Sequence, residues 1–310
     1  MGEFRVLRPR TLDEALEWLV EGGSQTAAVA GGTDLFPQQR DGRHAPYLLD
    51  LWGVEELRFL EVRADGLRLG PLLTMREVAD SPLVRDGARA LAQAALSVGS
   101  PQIRNRATLG GNLGRASPAA DACTALVALR ARLELSSFQG RREMAAAEFL
   151  VGPGKTLLRP DELITAITLP GTVPGEGPGG GSRGAGGRPL VGSSFQKVGR
   201  RKAVTLTVAS AAARLALDRS TGKVLQADAA AGAVAPRTLA MEEVAEVLVG
   251  VEPTPAALRR AARAGAARAR PVDDVRSSAA YRRAVLPVLI QRALEESLRD
   301  ALQIERSAAL

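Results

Sequence analysis

The chain has 310 residues, 41 Lys and Arg against 34 Asp and Glu, and a formal net charge of +7. A single Cys (Cys123) and a single His (His44) exclude a Cys-ligated iron–sulfur cluster, a four-ligand structural zinc site and an internal disulfide. A Ser-His-Asp triad would have to use His44, so redox or group-transfer chemistry here points to a bound cofactor. Only four of the basic residues are lysines, and the densest basic stretch, Arg259 to Arg270, contains no aromatic. That pattern reads as a solvated helix face, and nucleic-acid binding is not expected. No apolar run approaches the roughly 20 residues of a membrane span, and Met1 to Arg5 lack the apolar core of a signal peptide. The expected location is cytoplasmic.

Thr11-Leu12-Asp13-Glu14 has the form of a helix capping box. Leu12, Ala15, Leu16, Leu19 and Val20 continue it as an apolar stripe that Gly22-Gly23 stops. Ala27 to Ala30 then reads as a short buried strand and Tyr47 to Leu51 as another. Residues 1–56 therefore form a first α/β unit. A second unit, 57–170, opens with a strand at Leu67-Arg68-Leu69 and a second capping box at Thr74-Met75-Arg76-Glu77. Ser81-Pro82 starts a helix with Pro in its first turn, carried on through Leu83, Ala88, Leu91, Ala92 and Ala95. Thr108 to Asn112 reads as a Gly-containing turn. Ser117-Pro118 opens a further helix, with Asp121 in its first turn, and strands follow at Arg132–Ser136 and Leu163–Leu169.

Nine Gly and two Pro between 171 and 188 preclude a packed element, so 171–190 is a linker. The C-terminal domain, 191–310, begins with antiparallel strands at Ser193–Val198, Ala211–Leu217 and Val224–Ala230, the last two joined by a turn at Ser220-Thr221-Gly222. Helices follow, one capped by Thr238, one started by Thr254-Pro255 and one from Ser278 to about Leu298.

Two glycine pairs carry the chemistry. The first ends an apolar strand, in Ala28-Val29-Ala30-Gly31-Gly32-Thr33-Asp34-Leu35. Adjacent glycines let backbone N–H groups approach an anion, and a Thr hydroxyl adds a donor. The second is Thr108-Leu109-Gly110-Gly111-Asn112, followed by Ala116-Ser117-Pro118-Ala119-Ala120-Asp121 at a helix start. Asp121 would repel a phosphate and suits ribose or ribityl hydroxyls; a plain first-turn helix acid is the other reading. Neither G-x-G-x-x-G nor a P-loop occurs. Two such loops favour a dinucleotide.

The series AGGTDL, Arg104-Asn105-Arg106-Ala107-TLGGNL and ASPAAD resembles the FAD-binding (medium) subunit of molybdenum hydroxylases, the family of xanthine dehydrogenase and aerobic carbon monoxide dehydrogenase. The resemblance runs on through Gly154-Lys155-Thr156-Leu157-Leu158, Pro160-Asp161-Glu162-Leu163-Ile164, Phe195-Gln196-Lys197-Val198-Gly199-Arg200-Arg201 and Ala231-Gly232-Ala233-Val234-Ala235-Pro236-Arg237. It implies an α+β chain: a vanillyl-alcohol-oxidase-type FAD fold of two α/β subdomains, plus a C-terminal α+β domain. It implies that the 28–35 and 108–112 loops hold the FAD pyrophosphate and that Asp121, with Ser117 nearby, meets the sugar portion. Ile164 would lie by the flavin or the adenine end, and Lys197 near the isoalloxazine. Val98 stands where xanthine dehydrogenases place an aromatic beside the flavin.

The function so implied is electron transfer. Electrons would come from a molybdenum cofactor on a large partner through two [2Fe–2S] clusters on a small partner, and leave through FAD to NAD, a quinone or oxygen. A dimer of heterotrimers is the implied assembly. His44 falls on no family motif, and Cys123 reads as a small core residue. The competing readings are a stand-alone FAD oxidoreductase of the same fold and a domain that has lost FAD.

Overall fold

The structure is a computed structural model and describes residues 4–40, 45–172, 188–201 and 206–308. His44 and residues 173–187 of the Gly/Pro-rich stretch lie outside the described residues. The chain builds three successive layers, each around its own sheet.

The first layer comprises β1 (Arg5–Leu7), α1 (Leu12–Gly22), β2 (Thr26–Val29), α2 (Leu35–Arg40) and β3 (Tyr47–Asp50). Its strands are parallel, in the order β1-β3-β2. Thr11 caps α1 by accepting the Glu14 N–H, while the Glu14 carboxylate reaches back to the N–H of Arg10, one residue before the cap. Ala15, Leu16 and Leu19 bury one face of α1 against Leu49 and Leu51, the i, i+3/i+4 stripe expected of an amphipathic helix.

The second layer begins with the hairpin β4 (Leu60–Arg63) and β5 (Gly66–Leu69). Five helices follow: α3 (Met75–Asp80), α4 (Pro82–Gly87), α5 (Arg89–Ser97), α6 (Pro101–Arg104) and α7 (Leu109–Arg115). After α8 (Asp121–Ala128) come β6 (Arg132–Ser137), β7 (Gly140–Ala145), α9 (Ala146–Phe149), β8 (Leu150–Gly152), β9 (Lys155–Thr156) and β10 (Leu163–Pro170). The main sheet is antiparallel, β4-β5-β10-β6-β7. The helix expected from Ser81 onward is two, broken at Ala88. A Cβ on Gly87 would lie 2.5 Å from the carbonyl of Thr172, so the backbone there runs too close to its neighbour for a side chain. The segment expected as a turn at 108–112 is instead the start of α7, with Thr108 as its cap. Every residue of α8 is buried.

The third layer holds β11 (Leu190–Gly199), β12 (Thr207–Leu217), β13 (Val224–Gly232), β14 (Leu239–Ala240), α10 (Glu242–Leu248), α11 (Pro255–Ala266) and α12 (Ala279–Ala308). The four strands form an antiparallel sheet in chain order. Ala211, Ala213, Leu215 and Leu217 of β12 share a core with the helices, whereas Ala212 joins the core of the second layer. Both faces of this sheet are therefore covered, which explains a strand of nearly unbroken Ala, Val and Leu. Thr238 does not cap a helix: Met241 precedes α10, and the buried Thr238 hydroxyl has no hydrogen-bond partner among the described residues. The last helix runs ten residues beyond its expected end at Leu298.

Candidate functional site

The first glycine loop rests on the segment that leads into the second. A Cβ on Gly31 would lie 1.9 Å from the carbonyl oxygen of Arg106, so only glycine lets the loop after β2 rest on the backbone that leads into α7. Asp34 of the first loop pairs with Arg115 at the end of α7. The Arg106 guanidinium lies 3.8 Å from the centre of the Trp52 ring, a cation–π contact that aims this side chain along the first layer.

The loops differ in what they offer a ligand. In the second, Leu109 N–H donates to Leu73 O, Gly110 N–H to Pro71 O, Gly111 N–H to Thr108 Oγ1 and Asn112 N–H to Thr108 O. Its helix-start donors are spent inside the protein. Gly110 serves close packing, since a Cβ there would lie 2.6 Å from Pro71 Cβ. In the first loop, no acceptor among the described residues takes the N–H of Gly31, Gly32 or Thr33. Gly32 has φ +71°, a left-handed conformation that favours glycine. A depression of about 210 Å³ opens beside this loop, bordered by Val29, Gly31, Phe36, Arg8, Asp50 and Arg106.

Asp121 lies elsewhere, where the second layer meets the third. As the first residue of α8, its carboxylate crosses to the C-terminal sheet. Oδ1 accepts from Thr207 Oγ1 at 2.6 Å, and Oδ2 accepts from Lys197 Nζ at 2.6 Å. Ser97 Oγ stands 3.0 Å from Oδ2 and 2.7 Å from Ala94 O, so its one proton serves either acceptor. Lys197 also donates to Ser97 O at 3.1 Å. Burial pushes the Asp121 carboxyl upward, opposed by the Lys197 ammonium and the Thr207 and Ser97 hydroxyls. Cys123, two residues along α8, is fully buried against Asn112, and its thiol is pushed up to about 12 by burial and by Asp121.

The expected site residues therefore fall into two groups. Gly31 to Asp34 adjoin Arg106 and α7 at one. Asp121 and Lys197 form the other, with Val98 directly after Ser97 and half-buried against the second-layer core. Asn112 bridges toward the second group through Cys123. Ser117 accepts the Ala119 N–H in a turn, and the next carbonyl, Pro118, accepts the N–H of Ala233 from the third layer. Ile164 is buried in the second-layer core, opposite Leu135. Thr207, Arg115 and Ser97 carry no motif. Thr207 heads an apolar strand, where a buried hydroxyl is the only hint that a polar partner awaits it.

Residues 2–172 match the family model described as FAD binding domain in molybdopterin dehydrogenase, and residues 193–297 match that of the CO dehydrogenase flavoprotein C-terminal domain. The chain belongs to the FAD-binding subunits of the molybdenum hydroxylases. It is 30% identical over 298 residues to the nicotine 6-hydroxylase medium subunit of Paenarthrobacter nicotinovorans, covering 95% of this chain and 97% of the relative. It is 31% identical over 255 residues to the nicotinate dehydrogenase FAD-subunit of Eubacterium barkeri, covering 81% of each. Among solved structures, it is similar to a chain of carbon monoxide dehydrogenase from Hydrogenophaga pseudoflava, with a TM-score of 0.85, 28% identity, and coverage of 96% of this chain and 98% of that one. These subunits belong to oxidoreductases, and the α+β architecture of this chain is that of the carbon monoxide dehydrogenase flavoprotein.

The residues present fit FAD. Among the described residues the N–H groups of Gly31, Gly32 and Thr33 have no acceptor, and they adjoin a depression bordered by Arg8, Arg106 and Asp50; unpaired N–H groups on a glycine loop are the donor set a diphosphate needs. Among the described residues, no helix is long and apolar enough to cross a membrane, and no cluster of His, Cys, Asp or Glu could hold a metal ion.

Proposed function

We propose that this chain is the electron-transfer flavoprotein of a three-subunit molybdenum hydroxylase in the cytoplasm. Its partners would be a large subunit with the molybdenum cofactor and a small subunit with two [2Fe–2S] clusters. NAD, a quinone or oxygen would take the electrons, and the complex would form a dimer of heterotrimers. The observation that supports the reading is the contact of Gly31 with Arg106, which rests the first glycine loop on the segment leading into the second, in a chain aligned over 95% of its length with a medium subunit. The names of relatives support the partners: several are medium chains or subunits. The Hydrogenophaga structure is described as lacking the Mo-pyranopterin moiety of its molybdenum cofactor.

When bound, FAD supplies reversible one- and two-electron chemistry. The work of this chain is to bind and to orient. Gly31, Gly32 and Thr33 would donate N–H groups to the pyrophosphate, and the Thr33 hydroxyl would add a donor. Gly111 and Asn112 would line the opposite side. Lys197 would place positive charge toward the isoalloxazine, where it favours the reduced, anionic ring. Ile164 and Val98 would contribute apolar surface. No side chain need act as nucleophile or general base.

The test is reconstitution. The purified full chain, incubated with FAD and passed through gel filtration, is expected to retain about one flavin per chain with the visible flavin bands. A colourless protein would overturn the reading. Co-purification with an iron–sulfur and a molybdenum subunit supports the complex, and a self-sufficient oxidase activity of the isolated chain would favour a stand-alone FAD oxidoreductase instead.

A further inference from the structure

We propose that the seam between the second and third layers holds a binding site for a small inorganic oxyanion of the phosphate or sulfate class, built from Arg214, Arg130 and the Ser193 hydroxyl. It lies at the far end of α8 from Asp121 and stands independently of the flavin reading.

A polar row crosses three strands in register. Ser193 of β11 stands opposite Arg214 of β12, and Arg214 stands opposite Asp228 of β13. Alternation along the strands fixes the side they take. Ala213 and Ala227 belong to the core shared with the C-terminal helices, so their neighbours Arg214 and Asp228 face the second layer, as Ala212 and Ala230 do. Ser193 faces the same way and accepts the Ala90 N–H of α5 at 3.1 Å. Arg130 follows the end of α8, exposed and in a left-handed conformation with φ +56°. Burial pushes the Arg214 guanidinium downward and the Asp228 carboxyl upward. Their mutual attraction opposes both shifts, while the Arg130 charge adds to the first and opposes the second. Arg130 is thus close enough for its charge to act on both.

The count of donors carries the proposal. The Arg214 side chain is only 7% exposed. A guanidinium has five N–H donors, and among the described residues none of those on Arg214 has an acceptor within hydrogen-bond distance; its Nε is buried outright. Asp228 Oδ2 stands 4.0 Å from Nη1, too far for a hydrogen bond, and accepts from Gln226 Nε2 at 2.7 Å instead. Ser193 Oγ accepts from Ala90 and keeps its own proton to give. Buried polar groups are as a rule hydrogen-bonded, and a buried cation without acceptors is costly. Two guanidinium groups stand against one carboxylate here, so the acceptor this set calls for is an anion. A tetrahedral oxyanion offers one pair of oxygens to the planar Arg214 fork and further oxygens to Arg130 and Ser193. Bound there, it would tie the end of α8 to the C-terminal sheet, and its binding energy would add to the docking of the two layers.

The experiment uses the full chain with FAD added, which keeps phosphate off the diphosphate-binding loop. Wild type, Arg214→Met and Arg130→Gly are titrated calorimetrically with inorganic phosphate and with sulfate, and melted in each, at an ionic strength held constant with sodium chloride. Wild type is expected to bind about one anion per chain, saturably, and to melt higher as the site fills. Arg214→Met is expected to lose this binding. Arg130→Gly keeps the left-handed turn and should weaken it by about tenfold, the loss of one charged hydrogen-bond partner. The proposal fails if phosphate and sulfate do no more than chloride at equal ionic strength, because water alone then serves Arg214. It fails as well if Arg214→Met binds phosphate as wild type does, because the anion then sits elsewhere. Should Arg214→Met not fold, Arg130→Gly decides: an affinity equal to wild type overturns the site. A chain that takes up no FAD would overturn the function proposed above, and the same variants would still decide this site, since none of them lies in the flavin loops.

Discussion

Gly31 and Arg106 touch through backbone alone, with no room between them for a single methyl group. The contact joins a loop at the end of a parallel strand to the residues that feed a helix in the next layer, 75 positions along the chain. Substitution of Gly31 by Ala must push the two backbones apart. The expected result is a loss of about 1–3 kcal/mol, the usual cost of overpacking, together with loss of bound flavin. Thermal denaturation and the flavin-to-protein ratio check both parts. Gly114, in the interior of α7 with nothing within 4 Å of its missing Cβ, is the control. Gly114→Ala should stabilise by roughly 0.5–1 kcal/mol through helix propensity and keep the flavin.

The buried Asp121–Lys197 pair predicts a pH-dependent penalty. Lys197→Met strands a carboxylate in a site where burial already pushes it upward, and removing one partner of a buried pair costs about 3–5 kcal/mol. With the folded-state value above the unfolded one, the unfolded chain ionises first as pH rises. The penalty is therefore small in acid, below the ordinary carboxylate range, and grows as pH rises through it. Melting temperatures of variant and wild type should converge on acidification and diverge toward neutral pH; a constant difference would contradict this.

Asp274 is displaced the other way, downward, and here the charged form stabilises the wild-type chain. Its Oδ1 accepts from the buried Arg282 at 2.6 Å and from the N–H of Arg276 at 2.8 Å, and these bonds hold its carboxyl down at about 2. Its contribution is complete above the ordinary Asp range near 4 and is lost as pH falls through about 2. Asp274→Asn should lower the melting temperature at pH 7 and have its effect shrink as pH falls through that range.

Cys123 should be chemically silent in the folded protein. A fully buried thiol pushed up to about 12 has almost no thiolate at neutral pH. Titration with a disulfide reagent is expected to find no reactive thiol in native protein and one after denaturation. Prompt labelling of the native chain would show that the helix opens.

Thr238 offers a substitution expected to be harmless. Its hydroxyl is buried and unpartnered, a state that costs desolvation with no return. Thr238→Val keeps the shape and removes the orphan, so stability should be unchanged or higher by up to about 1–3 kcal/mol, as read from urea denaturation.

Local chemistry made much of this chain readable. Capping boxes, apolar stripes and Gly stops announced α1 and α3, because these signals act within four residues. The apolar runs of the C-terminal strands, the turn at Ser220-Thr221-Gly222 and the Thr254-Pro255 helix start were legible for the same reason. Thr238 misled because a residue with capping chemistry caps only where the helix begins beside it, and here α10 begins four residues later. Ala88 broke an apparently continuous helix because Gly87 runs against Thr172, a contact no local pattern encodes.

By itself, the sequence determined which residues are able to hold an anion or carry charge: the two glycine pairs, Asp121 and Lys197, and the lack of Cys and His for metal chemistry. Only the tertiary structure decided how those capacities are spent. It consumed the N–H groups of the second loop on Leu73, Pro71 and Thr108 while leaving those of Gly31 to Thr33 unspent. It also turned Asp121 toward Lys197 and Thr207, 76 and 86 residues away. The physical reason is that hydrogen-bond donors and charges are fixed by residue type, whereas their partners are chosen by the packing of distant layers, where leaving a buried charge unpaired is costly.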